Sequence, residues 1–373
     1  NAGNTCYMNS CLQCLAATPP LVQYLARGDH VAACGRAPKP DAKGRALPCM
    51  MCWASAFLPR LHDGTNKAPA FPKLLAHSPQ VLGRSFRPGR QEDSHEFLRC
   101  LLDRMHTADL ALAGVKDGDS ERRSATDALH RIFGGWLQNQ VHCPSCGYDS
   151  NRFDSFLDLS LDVNHTINSV SKALADNKWR CPRCRHAVRA HKQLTVRALP
   201  PILTIHLKRF SFHAGGGGGG GASSMLAAMF GFGGGSRKLQ DHIVFPDVLD
   251  VSPIMSASAV AEVRLMRGGG GGCSMGATHP SHSHTQCVQG VPPLYDLYGV
   301  LVHHGSTSFS GHYFSFVKAP NGAWFCMNDD SVSPAGWNVV RQQQAYMLFY
   351  SRKPSLPAVA PPRALPPAGA PAP

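Results

Sequence analysis

The chain has 373 residues, 43% of them hydrophobic, with 14 cysteines and a formal net charge of +13. That length supports one large domain or two ordinary ones around a substantial core, and no apolar run approaches the roughly 20 residues of a membrane span. Lys and Arg are dispersed, without the runs or the aromatic–basic alternation of an RNA-binding sheet, so the charge reads as a solvated surface, not as a nucleic-acid footprint. Several cysteines fall in CxxC pairs and one opens a helix, a distribution that suits metal binding and catalysis in a reducing compartment, nucleus or cytoplasm. The chain starts without a Met and reads as an excised domain.

The first fifteen residues predict a helix after Thr5, with Met8, Leu12 and Leu15 on one face and Thr5 placed to cap it. Cys6 then lies in the first turn, where the helix dipole and free amides would lower its pKa toward the nucleophilic thiolate. Asn1 is placed to offer a side-chain N–H where an oxyanion would develop. The plainer reading of Cys6 is a small buried hydrophobe. Downstream, Cys49 and Cys52 form a CxxC that His30 and Cys34 could complete as a second, weaker zinc site; the spacing is loose, and partly buried free thiols are the alternative.

Gln91 to Thr107 predicts a second helix, with Phe97, Leu98, Leu101, Leu102 and Met105 as its stripe. Gln91, Glu92, Asp93 and Glu96 sit at its N-terminal end, where acids complement the dipole. Arg84, Arg87 and Arg90 precede them, and the acidic end could also hold a basic substrate segment. From Gln138 the period changes to two, giving strands over 138–143 and 153–163, the second with Leu157, Leu159, Leu161 and Val163 on one face. Cys143 with Cys146 and Cys181 with Cys184 form two CxxC knuckles, the short turns that aim four sulfurs at one structural Zn²⁺ and leave no open position for a catalytic water.

Strands follow at 191–196 and 202–207. Glycine tracts then appear at Gly215–Gly221, Gly233–Gly235 and Gly268–Gly272. Such tracts cannot offset their backbone entropy by burial and read as disordered insertions; no GK[ST] closes them as a phosphate cradle. Ile243 to Phe245 predicts a short returning strand, and His279, His282 and His284 read as exposed. Further strands are expected over 295–303, 312–317, 324–328 and 346–350, before a disordered Pro/Ala-rich tail over 351–373. His312 opens one strand and Asn328 and Asp329 follow a hairpin later, an arrangement that could bring a base and its orienting group to Cys6.

These motifs resemble those of the ubiquitin-specific proteases. Asn1–Leu15 is similar to the cysteine box of that family, Tyr298–Val317 with Trp324–Val332 to its histidine box, Gln91–Phe97 to the signature between them, and the paired knuckles to its zinc-bearing fingers. Ile132–Gly135 and Leu203–Phe210 resemble the nuclear and plant-type members in particular. The likeness runs from Asn1 to about Tyr350, apart from the glycine-rich insertions at about 211–238 and 252–293.

The resemblance implies an α+β, papain-like cysteine protease fold with a helical thumb at about 1–131, then an antiparallel palm and zinc-stapled fingers at about 132–350. It implies hydrolysis of the bond after the C-terminal glycine of ubiquitin, with ubiquitin and ubiquitinated proteins as partners, no membrane, and a monomeric catalytic domain. Cys6 is implied as nucleophile, His312 as base, Asn1 as oxyanion donor and Asn328 as third triad member, with Asp329 able to share that role because Asn328 is neutral. Gln91, Asp93, His303, Gly305, Ser310 and Gly311 are implied to bind substrate, Asp93 by pairing with a basic residue and the glycines by close backbone approach in a gate at 306–311. Three other functions stay open at this point: a silent ubiquitin-binding module of the same fold, a protease for another ubiquitin-like modifier, and a zinc-ribbon nucleic-acid binder.

Overall fold

The computed structural model describes residues 3–35, 39–40, 46–47, 49–62, 70–114, 128–163, 178–189, 191–211, 237–256, 293–307 and 310–354. Helices dominate the first third. They are α1 (Cys6–Ala16), α2 (Pro19–Ala26), α3 (Asp29–Ala33), α4 (Met50–Phe57), α5 (Lys73–His77), α6 (Ser94–Leu112) and α7 (Ala128–Phe133), with a two-residue strand pair β1 (Lys39–Pro40) and β2 (Ala46–Leu47) between α3 and α4. In α1 every residue except Asn9 and Gln13 is buried, as expected of a helix that is apolar nearly all round. Thr5 occupies its N-cap position but makes no side-chain cap bond. Proline at the first positions of α2 presets its helical φ.

The helix expected from Gln91 starts instead at Ser94. The Asp93 carboxylate accepts from the His95 and Glu96 amides at 2.8 and 3.0 Å, so it works as an N-cap with extended backbone, and Gln91 and Glu92 before it stay outside the helix. The predicted apolar stripe is buried along its length.

The strands that follow are β3 (Gly135–His142), β4 (Asp149–Phe156), β5 (Leu159–Asp162), β6 (Lys178–Arg180), β7 (Ala187–Arg189), β8 (His191–Ala198), β9 (Ile202–Lys208), β10 (Phe210–Ser211), β11 (Arg237–Lys238), β12 (Val248–Asp250), β13 (Leu294–Thr307), β14 (Ser310–Lys318), β15 (Trp324–Asn328), β16 (Ser331–Ala335) and β17 (Ala345–Arg352). The main sheet runs β16-β15-β14-β13-β17-β9-β5, with β12 paired to β13; β4-β3-β8 form a separate three-stranded sheet whose β3–β4 turn carries the first knuckle, and the two-stranded pair β6-β7 carries the second. A four-residue helix α8 (Trp337–Val340) lies between β16 and β17.

Alternation along β14 divides two cores. Tyr313 and Val317 pack with the helices, whereas Phe314 and Phe316 join Trp324, Phe245 and Val340 on the other side. The expected strand at Ile243–Phe245 is absent; Phe245 enters this second core from irregular chain, and the returning strand is β12. Leu161 is exposed, contrary to the predicted apolar face, because β5 is the outermost strand and nothing among the described residues covers it.

A polar staple joins helices to sheet. His95 on α6 donates to Asp158 at 2.8 Å and stacks on His206 of β9 at 3.7 Å; Ser160 donates to Asp158 and receives His206 Nδ1–H at 2.9 Å. Burial pushes the His206 imidazole down to about 3, so it is held neutral.

The glycine tracts and His279, His282 and His284 lie outside the described residues. The edges of the first insertion, however, are ordered: Phe210 and Ser211 pair with Lys238 and Arg237. Arg209 precedes this pair and Lys238 belongs to it, and both are buried. Arg209 donates to the carbonyls of Ala345, Leu239 and Asp241 at 2.6, 3.1 and 2.7 Å, and Lys238 donates to that of His303.

Candidate active site

Cys6 begins α1, the helix packed between the other helices and β14. Its sulfur receives the backbone N–H of Tyr313, the residue after His312, so the start of the chain and a strand near its end meet there. The N–H groups of Cys6 and Tyr7 also point at the sulfur. Even so, the thiol is pushed up and not down. Burial removes water from the thiolate, the Asp329 carboxylate adds to the shift, and the three amides offset only part of it. The expected dipole effect is present but outweighed by desolvation.

His312 is half-buried, and its Nε2–H donates to Asn328 Oδ1 at 2.6 Å. That bond fixes the tautomer with the lone pair on Nδ1, the nitrogen then able to take a proton. Asp329 reaches back to α1. It adopts a left-handed φ of 53°, tolerated by Asp, and its Oδ1 accepts from Asn9 Nδ2 at 2.8 Å. The turn between β15 and β16 thus sends Asn328 and Asp329 to different partners.

A cleft of about 620 Å³ is lined by Asn4, Arg87, Arg90, Gln91, Ser310 and Gly311 among others, and so gathers three of the predicted substrate-binding residues. Asn4 Nδ2 donates to the Gly89 carbonyl at 2.9 Å, tying the loop before Cys6 to the loop before α6. Gln91 is buried, and its Nε2 makes no hydrogen bond among the described residues. Gly305 and Gly311 sit back to back: a Cβ on Gly311 would fall 2.2 Å from the His304 carbonyl oxygen, and one on Gly305 2.3 Å from that of Ser310.

Two predicted binding residues are placed otherwise. Asp93 is engaged by its helix and by the Tyr346 hydroxyl, which donates to Oδ2 at 2.5 Å, so its oxygens serve the protein. His303 is 0% exposed and lies beneath the hairpin, against Tyr313 and Phe210, not in the cleft. Burial, with Lys238 nearby, pushes its imidazole down to about 3. Asn1 lies outside the described residues, as do 308–309 of the predicted gate.

Sequence reasoning missed Asn9, Arg209 and Lys238. Asn9 was visible as one of three polar residues, with Ser10 and Gln13, on an otherwise apolar helix; the two cations gave no local signal.

Among the described residues two groups could hold a metal: Cys143, Cys146, Cys181 and Cys184, and His30, Cys34, Cys49 and Cys52; within each, the ligand atoms lie within 4.8 Å of one another. In the first, Cys143 and Cys184 sulfurs are 3.8 Å apart and those of Cys146 and Cys181 3.7 Å. A tetrahedron with Zn–S of about 2.3 Å has edges of about 3.8 Å, so the sulfurs fit the ion. Both knuckles turn with a left-handed residue after the second cysteine, Gly147 at φ 66° and Arg185 at φ 61°.

The sequence pattern of the family "Ubiquitin carboxyl-terminal hydrolase" matches residues 1–350. The probable ubiquitin carboxyl-terminal hydrolase 16 of Schizosaccharomyces pombe is 36% identical over 365 residues, which is 95% of this chain and 66% of that protein. Ubiquitin carboxyl-terminal hydrolase 23 of Arabidopsis thaliana is 34% identical over 94% of this chain and 35% of its own length. The chain therefore spans between about a third and two thirds of these relatives. Among solved structures, the SAGA DUB module Ubp8/Sgf11/Sus1/Sgf73 bound to monoubiquitin is similar with a TM-score of 0.67 and 25% identity, over 94% of this chain and 68% of that one. The same module bound to ubiquitin aldehyde matches equally, at 0.67 and 25%. Because the likeness extends through the helices, the sheet and the junction at which Cys6 meets Tyr313, the chain belongs to the ubiquitin carboxyl-terminal hydrolase family.

Proposed function

We propose that the chain is a thiol-dependent deubiquitinase that hydrolyses the peptide or isopeptide bond after the C-terminal glycine of ubiquitin in ubiquitin conjugates. The observation that carries this reading is the Cys6 sulfur seated on the amide of Tyr313, the residue that follows His312, whose imidazole Asn328 orients. The raised thiol favours a neutral Cys6 at rest. His312 Nδ1 takes its proton as the sulfur attacks the glycine carbonyl and returns it to the departing amine; water then cleaves the thioester with the same base. Asn328 holds the tautomer, the Cys6 and Tyr7 amides and Asn1 stabilise the oxyanion, and Asp329 acts through Asn9 and its field on the sulfur.

The cleft at Gln91, Ser310 and Gly311 takes the slender C-terminal tail, the side-chain-free Gly305 and Gly311 letting backbones approach. Asp93 and His303 shape this channel from behind. The relatives' names and the ubiquitin-bound SAGA module support ubiquitin as partner. A thumb of residues 1–131 and a fingers-and-palm unit over 132–350 are proposed, with a structural zinc on Cys143, Cys146, Cys181 and Cys184 that stiffens the fingers and takes no part in bond cleavage. A monomer working in nucleus or cytoplasm completes the reading.

The test is reaction with ubiquitin bearing a C-terminal electrophile, before and after thiol blocking. A covalent adduct that disappears on blocking and in Cys6→Ser is expected. No adduct with folded protein would leave a silent ubiquitin binder, and an adduct only with a probe for another modifier would redirect the substrate.

A further inference from the structure

A second cavity, of about 350 Å³, shares no lining residue with the cleft that takes the ubiquitin tail. We propose that it is the subsite for the leaving group: it receives the conjugated lysine with the residues flanking it, and favours a basic segment of the modified protein. The subsite rests on the deubiquitinase reading and supplies the chemistry of its departing side.

The tail cleft meets the start of the chain at Asn4, before the thiol. The second cavity meets it at Asn9, Leu12 and Gln13, all beyond the thiol. Cys6, Asn9 and Gln13 follow one another at helical steps in α1, so they share one face of the helix, and the cavity lies along that face. The sulfur therefore stands between the two cavities. A substrate whose tail fills one and whose scissile bond reaches Cys6 runs on into the other.

The link to the catalytic groups is direct. Asn328 pairs with Ser331, so Asp329 and Asp330 form a tight two-residue hairpin turn that adjoins the acceptor orienting His312. Both aspartates line the cavity, and Asp329 accepts from Asn9, another lining residue, at 2.8 Å.

The lining has two chemistries. Leu12, Phe57, Leu61 and Phe71 provide an apolar wall that suits the methylene stem of a lysine. The aspartates suit cations on either side of that lysine. No Lys, Arg or His stands among the described lining residues, although the chain carries a formal charge of +13 and the tail cleft is lined by Arg87 and Arg90. The local field thus favours positive charge on the departing side.

Aspartates are ordinary turn residues, and Asp329 tolerates its left-handed φ on that account. A turn by itself does not explain the apolar wall beside them, or why that wall continues the helix face that carries the nucleophile. A cation beside Asp329 also offsets the negative charge that helps to hold the Cys6 thiol up, so a basic leaving group eases deprotonation of the attacking sulfur.

The experiment compares ubiquitin joined by an isopeptide bond to two short peptides, one with arginines and one with glutamates around the acceptor lysine. Ubiquitin ethyl ester is the reference, since its small leaving group leaves the cavity empty. For the intact chain kcat/KM should favour the basic conjugate by about tenfold at low salt, the combined effect of attraction and repulsion at two partly exposed carboxylates, and the preference should shrink in about 0.5 M NaCl. Asp330→Asn should reduce it to about threefold, and Phe71→Ala should slow both conjugates by about three- to tenfold, each with unchanged turnover of the ester. Equal cleavage of the two conjugates by the wild-type chain, which needs no variant to fold, would overturn the proposal. So would an Asp330→Asn enzyme that keeps the full preference, or a Phe71→Ala enzyme as fast as wild type on both conjugates. Turnover of the ester with indifference to peptide charge sinks the subsite and leaves the hydrolase reading standing, whereas no turnover of any of the three substrates removes both.

Discussion

Replacement of Gly311 by alanine tests whether the hairpin beneath the proposed tail channel sets the position of the base. Gly311 has φ 140°, and an added Cβ would lie 2.2 Å from the His304 carbonyl oxygen, 2.7 Å from His303 Nε2 and 2.8 Å from Gly305 Cα. A comfortable carbon–oxygen approach is about 3.3 Å, so the strand must yield by about 1 Å. Two of the three neighbours are backbone, and the third is a ring buried against Tyr313, so no flexible tip is available to move. His312 is the next residue and moves with the strand. A misplacement of about 1 Å at a reacting group costs about 10²-fold in rate, or about 2.7 kcal/mol of barrier. Backbone strain of about 1–3 kcal/mol is expected in stability besides. The assay is kcat and KM on a fluorogenic ubiquitin C-terminal amide, with thermal unfolding in parallel. Gly336→Ala is the control, since nothing lies within 4 Å of its added Cβ. A folded Gly311→Ala enzyme with kcat within about threefold of wild type would refute the reasoning, because a barrier change that small leaves no room for a displaced base.

Asn328→Ala should lose less single-turnover activity than His312→Ala, because it removes the orienting acceptor but leaves the base; equal losses would contradict that division. Asp329→Asn should lower the pH at which Cys6 becomes reactive toward iodoacetamide, since the Asp329 carboxylate raises the thiol in the wild type; an unmoved or raised midpoint would count against it. His303 supplies a pH dependence of stability. Its folded value of about 3 lies below the usual histidine value, so the unfolded chain binds the proton first as pH falls. The stability it confers is complete above about pH 6.5 and is lost toward about pH 3, some 2 kcal/mol of it by about pH 5. Urea unfolding at two pH values should therefore show a shallower acid loss in His303→Phe than in wild type, and equal slopes would mean that the ring titrates freely in the fold.

Much of this site was legible because its chemistry is packed into short stretches. Cys6 with its helix, His312 at a strand start, Asn328 one hairpin on, and the two knuckles each carry a local signature, and the register of β14 and β15 then brings the last strands together. Errors arose where a remote partner decides the outcome. The acids before α6 look helical until Asp93 is seen capping the amides and accepting from Tyr346. Leu161 alternates like a buried residue, but its strand ends the sheet. The direction of the Cys6 shift depends on how much water the assembled fold excludes, and on an aspartate more than three hundred positions away. Asn9 with Asp329, Arg209 with Ala345, and Lys238 with His303 are likewise pairings between segments that periodicity treats as independent.

The short pairing of β10 with β11 has a practical corollary. Because Phe210 faces Lys238 and Ser211 faces Arg237 in register, the polypeptide leaves the palm and re-enters it at the same spot. Whatever is spliced between those ends meets a neck already fastened by Arg209 and Lys238. Doubling such an interposed length costs only about 0.6 kcal/mol in closure entropy. The neck is thus a port at which cargo of very different size can be grafted, by evolution or by an engineer, without renegotiating the architecture around the thiol.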